Sequence, residues 1–105
     1  MTTAWMYILK CANGLYYTGS TIDIDFRMKQ HEAGEGSNFT RKHLPVTLVY
    51  YEEYSRIDDA FIREKQVQGW SRSKKEALID GMVGKLPILS RNHTEYGKAP
   101  LNEEG

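Results

Sequence analysis

The chain has 105 residues, of which 40% are hydrophobic and 11% aromatic, and this composition indicates one folded domain and excludes a disordered chain. Fourteen basic and fourteen acidic side chains cancel, so the net charge gives no argument for a polyanionic partner. No apolar run reaches the roughly 18 residues of a membrane-spanning helix, no charged leader precedes the first apolar stretch, and the single cysteine cannot form an internal disulfide. We therefore expect a cytoplasmic protein that does not associate with membranes.

Two aromatic and β-branched runs, 5–11 and 15–21, flank the turn signal Asn13-Gly14 and predict an antiparallel hairpin. Two loop lengths fit this turn. A two-residue Asn-Gly loop would place Tyr7 and Tyr17 on opposite faces of the hairpin. A three-residue loop that ends in Gly14 would place both tyrosines and Gly19 on one face, where the missing side chain of Gly19 would leave room for a phosphate.

A helix is predicted next, with Asp23 or Thr21 as its N-cap and an end at Gly34 or Gly36. Glycine and polar residues in the segment 34–45 predict a loop. A third strand is predicted over residues 46–54. Two segments, 27–43 and 63–75, carry an excess of basic side chains, although solvated charge on a helix face explains any one of them equally well.

Ser55 can cap a second helix, 56–68. Its expected apolar stripe consists of Ile57, Ala60, Phe61 and Val67, and Glu64 completes this stripe. A glutamate in such a position must reach the surface or find a partner, either a cation from a side chain or a metal ion, because an unpaired buried carboxylate is costly.

Ser73 and Glu76 have the spacing of a capping box and predict a short helix that ends at about Asp80. A packed segment is expected at 86–89, followed by a frayed tail. The pattern predicts an α+β fold, in which a small antiparallel three-stranded β-sheet is flanked by helices. We assign residues 1–83 to this domain and residues 84–105 to a partly disordered C-terminal extension.

The order of these residues resembles the GIY-YIG nuclease superfamily over about residues 5–79. Trp5-Met6-Tyr7 and Tyr17-Thr18-Gly19 stand at its two tripeptides, although Trp5, Met6 and Thr18 depart from the usual residues. Arg27, His31 and Glu64 match its helical arginine, the histidine or tyrosine one turn later and its metal-binding glutamate. Asn92 is the only nearby candidate for a late asparagine of several relatives.

Within the superfamily the chain is most similar to the small stand-alone bacterial branch, the UPF0213-type proteins, and it also resembles the N-terminal domain of excision nuclease C. The stretches that carry this likeness are Gly19-Ser20-Thr21, a threonine-basic-basic-x-x-proline stretch at 40–45, and residues 70–79.

The resemblance implies a metal-dependent endonuclease that hydrolyses DNA by a one-metal mechanism. Glu64 would hold Mg²⁺ or Mn²⁺, Arg27 would bind a phosphate oxygen, and Tyr7 would act as general base or orient the water. Tyr17 or His31 would polarise Tyr7 or relay its proton. The expected substrate-binding residues are Gly19, Thr21, Arg41, Lys42, Lys74 and Lys75.

Single-stranded or branched DNA is the expected substrate, because the chain has no recognisable base-reading module. An alternative is a catalytically weak nucleic-acid binding module of the same fold. A further alternative is an interaction domain in which Tyr7, Tyr17 and Glu64 only pack, and it predicts that these side chains diverge in space. The sequence leaves open a partner protein and the oligomeric state.

Overall fold

The computed structural model of the chain describes residues 3–81. The predicted domain boundary at residue 83, the expected segment 86–89 and Asn92 lie outside the described residues. Within residues 3–81 the elements follow in the order β1 (Ala4–Lys10), β2 (Tyr16–Thr21), α1 (Ile24–Glu32), α2 (Asn38–Arg41), β3 (Thr47–Tyr54), α3 (Ile57–Gln68) and α4 (Arg72–Asp80). The strands form one antiparallel sheet in the order β2-β1-β3, which confirms the predicted fold class.

The hairpin between β1 and β2 has the three-residue loop. The backbone N–H of Cys11 donates to the carbonyl of Leu15, and that of Gly14 donates to the carbonyl of Cys11, both at 2.8 Å. Gly14 adopts a φ of 86°, a left-handed conformation that glycine reaches without steric cost. In this register Tyr7 lies opposite Gly19, so the two tyrosines share a face of the sheet.

The sheet separates two layers of different character. On one side, Met6 and Ile8 of β1 pack against Ala60 and Val67 of α3 in the hydrophobic core. Tyr7 alternates with these residues along β1 and faces the opposite side, where it meets α1. No helix within residues 3–81 combines the length and apolar character needed to cross a membrane.

Helix α3 buries only part of the predicted stripe, namely Ala60, Glu64 and Val67. Phe61 is 49% exposed and Ile57 is 39% exposed, so the prediction that they belong to the core is wrong. Arg63, counted as part of a basic surface, is only 7% exposed. Periodicity predicted this face incorrectly because it treats a charged residue as a surface residue, whereas Arg63 has a buried partner.

That partner is Glu52 of β3, which is fully buried. Arg63 donates to its two carboxylate oxygens at 2.9 and 3.0 Å. The phenols of Tyr50 and Tyr54 also donate to this carboxylate. Glu52 and Arg63 thus form an ion pair inside the core, and hydrogen bonds compensate for part of the cost of taking both charges out of water.

Two helices begin at residues other than those predicted. Helix α3 begins after Arg56, whose side chain makes no capping hydrogen bond, so Ser55 is not the N-cap. Helix α4 begins after Ser71, whose Oγ accepts from the backbone N–H of Lys74 at 3.2 Å. Ser73 therefore lies inside the first turn, because a serine two residues earlier already caps the helix.

Candidate active site

Tyr7 is fully buried, and its hydroxyl end lies over Gly19. A Cβ added to Gly19 would lie 2.5 Å from Tyr7 Oη and 2.6 Å from Tyr7 Cζ, well inside van der Waals contact. The space that we expected to hold a phosphate is therefore occupied by the phenol. Gly19 is needed to let Tyr7 lie across the neighbouring strand.

The start of α1 directs this helix toward Tyr7. Asp23 is the N-cap, and its Oδ1 accepts a backbone N–H of the first turn at 3.0 Å. Thr21 Oγ1 accepts the backbone N–H of Asp23 at 3.1 Å, so Thr21, an expected substrate-binding residue, supports the turn into the helix. Arg27 and His31, one turn apart on one face of α1, then both reach the Tyr7 hydroxyl.

The side chains of Tyr7, Tyr17, Arg27 and His31 form one cluster. Tyr7 Oη lies 2.9 Å from His31 Nε2, and Arg27 Nε donates to Tyr7 Oη at 3.4 Å. The Tyr17 ring centroid lies 6.5 Å from that of Tyr7 and 5.4 Å from that of His31. The structure therefore brings together four of the five predicted catalytic side chains.

The Arg27 guanidinium is held in place on three sides. Besides its contact with Tyr7, its Nη1 donates to Gln30 Oε1 at 3.0 Å and its Nη2 donates to the Gly36 carbonyl at 2.9 Å. A guanidinium has about five N–H donors, so one N–H on each Nη has no acceptor among residues 3–81. Two such donors in one plane match two oxygens of a phosphate.

His31 is fully buried, although as a lone residue it resembled an ordinary surface histidine. Burial, with the nearby Arg27 charge adding to it, lowers the pKa of His31 to about 4, so the imidazole is neutral at pH 7. Its Nδ1 lies 3.0 Å from Thr40 Oγ1. A Cβ on Gly36 would lie 2.1 Å from this same nitrogen, so the loop can approach the ring only because residue 36 is glycine.

Tyr7 carries a neutral phenol at pH 7. Burial raises its pKa to about 12, against the hydrogen bond and charge of Arg27, which favour the phenolate. Because Tyr7 is completely covered, its oxygen can meet a water molecule only if a neighbouring side chain moves. Tyr17 and Arg27 are both half-buried and are the neighbours on the outer side of the cluster.

The segment predicted as a loop contains the short helix α2, which Ser37 caps. Phe39 of this helix stacks on Tyr17, with ring centroids 6.4 Å apart and planes at 17°. Arg41 is the last residue of α2 and Lys42 follows it, and both side chains are exposed. Two of the expected substrate-binding residues therefore lie at the end of the helix that carries Phe39.

Glu64 approaches from α3, on the other layer of the sheet, and is 8% exposed. Its Oε1 accepts from Ser20 Oγ at 2.6 Å and its Oε2 accepts from Gln68 Nε2 at 2.7 Å. Ser20 directly follows Gly19 on β2. The Glu64 charge contributes to the raised pKa of Tyr7, so the carboxylate lies within electrostatic range of the phenol without touching it.

A metal centre built from protein ligands alone is absent from the described residues, where no three His, Cys, Asp or Glu side chains group together. A carboxylate has about four lone-pair sites, and Ser20 and Gln68 use two of those on Glu64. The remaining sites suit a hard cation that takes its other ligands from phosphate and water. Glu64 thus fits an ion held weakly until substrate binds.

The other two expected substrate-binding lysines lie on α4, away from the cluster. This helix packs on Tyr16, which alternates with Tyr17 on β2, and the Arg72 guanidinium carbon lies 4.8 Å from the Tyr16 ring centroid. Lys74 Nζ lies 4.2 Å from the Trp70 ring centroid. No contact within residues 3–81 joins Lys74 or Lys75 to the cluster.

Some residues of the site were not singled out from the sequence. Ser20 and Thr40 were noticed only as parts of family-like stretches, so the motif that contains each was the available signal. Gln68 and Gly36 gave no signal, because one lies on a polar helix face and the other in a glycine-rich loop.

Comparison with known proteins identifies the class that this fold and cluster define. The family model for the GIY-YIG catalytic domain matches residues 3–77. The chain belongs to this family, a family of nucleases, and the resemblance predicted from its motifs is confirmed.

Its relatives include several UPF0213 proteins. The chain is 41% identical over 74 residues to one from Halobacterium salinarum, covering 70% of this chain and 96% of the relative. It is 43% identical over 76 residues to one from Streptococcus sanguinis, covering 72% and 87%. The solution NMR structure of a UPF0213 protein from Bacillus halodurans is 35% identical, with a TM-score of 0.53, and the match covers 88% of this chain and 98% of that one.

Proposed function

We propose that this protein is a divalent-metal-dependent endonuclease that hydrolyses phosphodiester bonds in single-stranded or branched DNA. The observation that carries this proposal is the joint hydrogen bonding of Tyr7 to His31 and Arg27, beside two guanidinium N–H groups that suit a phosphate. An interaction domain in which Tyr7, Tyr17 and Glu64 only pack predicted that all three side chains diverge. The two tyrosine rings instead lie 6.5 Å apart, while Glu64 lies on the other layer of the sheet, against Ser20 and Gln68.

Arg27 binds the phosphate in this proposal. Its contacts with Gln30 and Gly36 fix the guanidinium plane before substrate arrives. A donor that is already oriented stabilises the charge that grows on the phosphate without reorganising during the reaction.

Tyr7 and His31 share the task of taking a proton from water. A neutral phenol with a pKa of about 12 does not act as a phenolate at pH 7. Its oxygen can accept a proton from water while its own proton passes to His31 Nε2, 2.9 Å away. The water oxygen then bonds to phosphorus, the bond from phosphorus to the leaving oxygen breaks, and solvent supplies the proton for that oxygen.

Glu64 holds Mg²⁺ or Mn²⁺ in this proposal, the ions implied by the family. When bound, the cation would neutralise charge on the phosphate and on the leaving oxygen. Movement of Tyr17 on substrate binding would uncover Tyr7.

Exposed basic side chains next to the cluster support a nucleic-acid substrate. Arg41 ends α2, the helix whose Phe39 stacks on Tyr17, and Lys42 follows it. Both are exposed and can contact phosphates, and each such contact makes binding weaker as salt is added. We place this activity in the cytoplasm, where a free buried thiol such as that of Cys11 stays reduced.

The test is a cleavage assay with purified protein and end-labelled single-stranded, duplex, branched and RNA substrates, each with Mg²⁺, Mn²⁺ or EDTA. We expect cleavage of single-stranded or branched DNA that EDTA abolishes. Salt-sensitive binding without cleavage of any substrate would instead establish the binding module, and preferred cleavage of RNA or of plain duplex would contradict the proposed substrate class.

Gly19→Ala is expected to lower the rate of cleavage by about 100-fold, because a displacement of about 1 Å in a reacting group can cost this much and the new Cβ would overlap the Tyr7 hydroxyl. Single-turnover cleavage measures the effect. Gly69→Ala is the matched control, since a Cβ there would meet only Gln66 O at 3.6 Å. Equal rates for the two variants would show that the position of Tyr7 does not matter for catalysis.

A further inference from the structure

The buried Thr40 hydroxyl begins the threonine-basic-basic-x-x-proline stretch, and the proposed function gives this hydroxyl no task. Thr40 is fully buried, and its Oγ1 lies 3.0 Å from His31 Nδ1. On its other side, Oγ1 lies 2.9 Å from Ser37 Oγ and 3.4 Å from the Ser37 carbonyl oxygen. Thr40 therefore connects the imidazole to the cap of α2.

We propose that Thr40 is a positioning residue that fixes the tautomer of His31, with the proton on Nδ1 and a bare Nε2 that accepts the Tyr7 proton. This inference rests on the proposed function for its catalytic meaning. The tautomer itself follows from hydrogen-bond geometry alone.

Arg27 determines which groups donate and which accept in these hydrogen bonds. A guanidinium can only donate, so the Tyr7 oxygen accepts from Arg27 Nε. Tyr7 is fully buried, and within residues 3–81 the one acceptor that its hydroxyl proton reaches is His31 Nε2. A neutral imidazole that accepts at Nε2 must carry its proton on Nδ1.

The other end of this series of hydrogen bonds fits the same direction. The proton on His31 Nδ1 needs an acceptor, and Thr40 Oγ1 lies in reach. Thr40 can then donate its own proton to Ser37, whose carbonyl oxygen can only accept. Each group between Arg27 and Ser37 thus accepts one hydrogen bond and donates the next.

The catalytic consequence concerns the proton of Tyr7. If His31 carried its proton on Nε2, that nitrogen would donate to the phenol and could not receive a proton from it. The Thr40 hydroxyl favours the opposite tautomer, because it can accept from Nδ1–H and its removal leaves no acceptor for Nδ1–H among the described residues. A histidine held in the wrong tautomer loses its function as a proton acceptor even when its position is unchanged.

The experiment compares Thr40→Val, Thr40→Ser and Thr18→Val with the wild-type protein. Valine keeps the shape of threonine and removes the hydroxyl, and serine keeps the hydroxyl. Thr18 is the matched control, because it is also buried, at 4% exposure, yet its Oγ1 has no hydrogen-bond partner.

The first measurement is the ¹⁵N NMR spectrum of the His31 ring at pH 7, which reports which nitrogen carries the proton and needs no substrate. We expect protonated Nδ1 in the wild type, the serine variant and the Thr18 control, and a mixture of tautomers in Thr40→Val. A wild-type ring protonated on Nε2 would overturn the inference, whether or not the protein cleaves DNA.

The second measurement is cleavage under single-turnover conditions. We expect the cleavage rate of Thr40→Val to be roughly 10- to 100-fold lower, with substrate affinity unchanged. This is part of the rate factor of about 10²–10⁴ that a positioned acid–base group contributes. Thr40→Ser should recover most of the rate, and Thr18→Val should match the wild type within about 2-fold. Wild-type cleavage by Thr40→Val would refute the positioning role, whereas a lack of cleavage by the wild type refutes the proposed function and leaves the tautomer to be decided by NMR.

Discussion

Glu64→Gln is expected to reduce cleavage by at least about 100-fold, because loss of one oriented electrostatic group costs roughly 2.7–4 kcal/mol in comparable sites. Glutamine has nearly the shape of glutamate but cannot supply the negative charge that holds a divalent cation. Its amide oxygen can still accept from Ser20 Oγ, which donates to Glu64 at 2.6 Å. The fold should therefore persist, with a small loss of stability where the new amide group faces Gln68 Nε2.

The measurements are single-turnover rates across a range of Mn²⁺ concentrations and thermal unfolding by circular dichroism. Glu76→Gln provides the control, since it neutralises a carboxylate on α4 that is paired with Arg72 at 3.1 Å and lies apart from the cluster. A Glu64→Gln variant with the wild-type rate at every Mn²⁺ concentration would remove Glu64 from the site. A large fall in melting temperature would instead show that Glu64 mainly holds α3 to β2.

Arg63→Met is expected to lower the free energy of unfolding by about 3–5 kcal/mol, the cost of breaking one side of a buried ion pair. Such a loss is a large share of the roughly 5–15 kcal/mol that stabilises a typical domain. The cause is Glu52, which is fully buried and would lose the cation that neutralises it. Methionine fills much of the space of the arginine, so the lost charge accounts for most of the effect.

Urea denaturation monitored by fluorescence measures this loss. Arg56→Met makes the same chemical change at an exposed ion pair, where the two side chains are 68% and 65% exposed, and it should cost no more than about 1 kcal/mol. Adding Glu52→Gln to Arg63→Met removes the second charge and keeps an acceptor oxygen for one of the two phenols that donate to Glu52, so the double variant should regain part of the loss. Equal costs for Arg63→Met and Arg56→Met would contradict the argument.

The sequence predicted the order of strands and long helices well because local patterns determine it. Alternation defined the hairpin, and Asp23 capped α1 as expected. The sequence pattern did not decide the register of the hairpin, since Asn13-Gly14 suits either loop length. The register follows from the left-handed conformation of Gly14 and the pairing of Cys11 with Leu15, which become visible only in three dimensions.

The errors have a common physical origin in contacts between distant residues. The buried face of α3 depends on Arg63 meeting Glu52, 11 residues away on a different element. The role of Thr40 depends on how α2 folds back onto α1, which a four-residue helix hardly reveals in its sequence. The family motifs still identified Tyr7, Tyr17, Arg27 and His31 as site residues. They did not indicate a role for Gly36.

The central strand β1 separates the candidate active site from the hydrophobic core. Tyr7 points to one side, and its immediate neighbours Met6 and Ile8 point to the other and anchor the core. Substitutions of exposed residues on the α1 side therefore leave the core contacts of Met6 and Ile8 in place. Of the five predicted catalytic residues, Glu64 alone lies on α3, so its substitution also affects the helix that packs against the core.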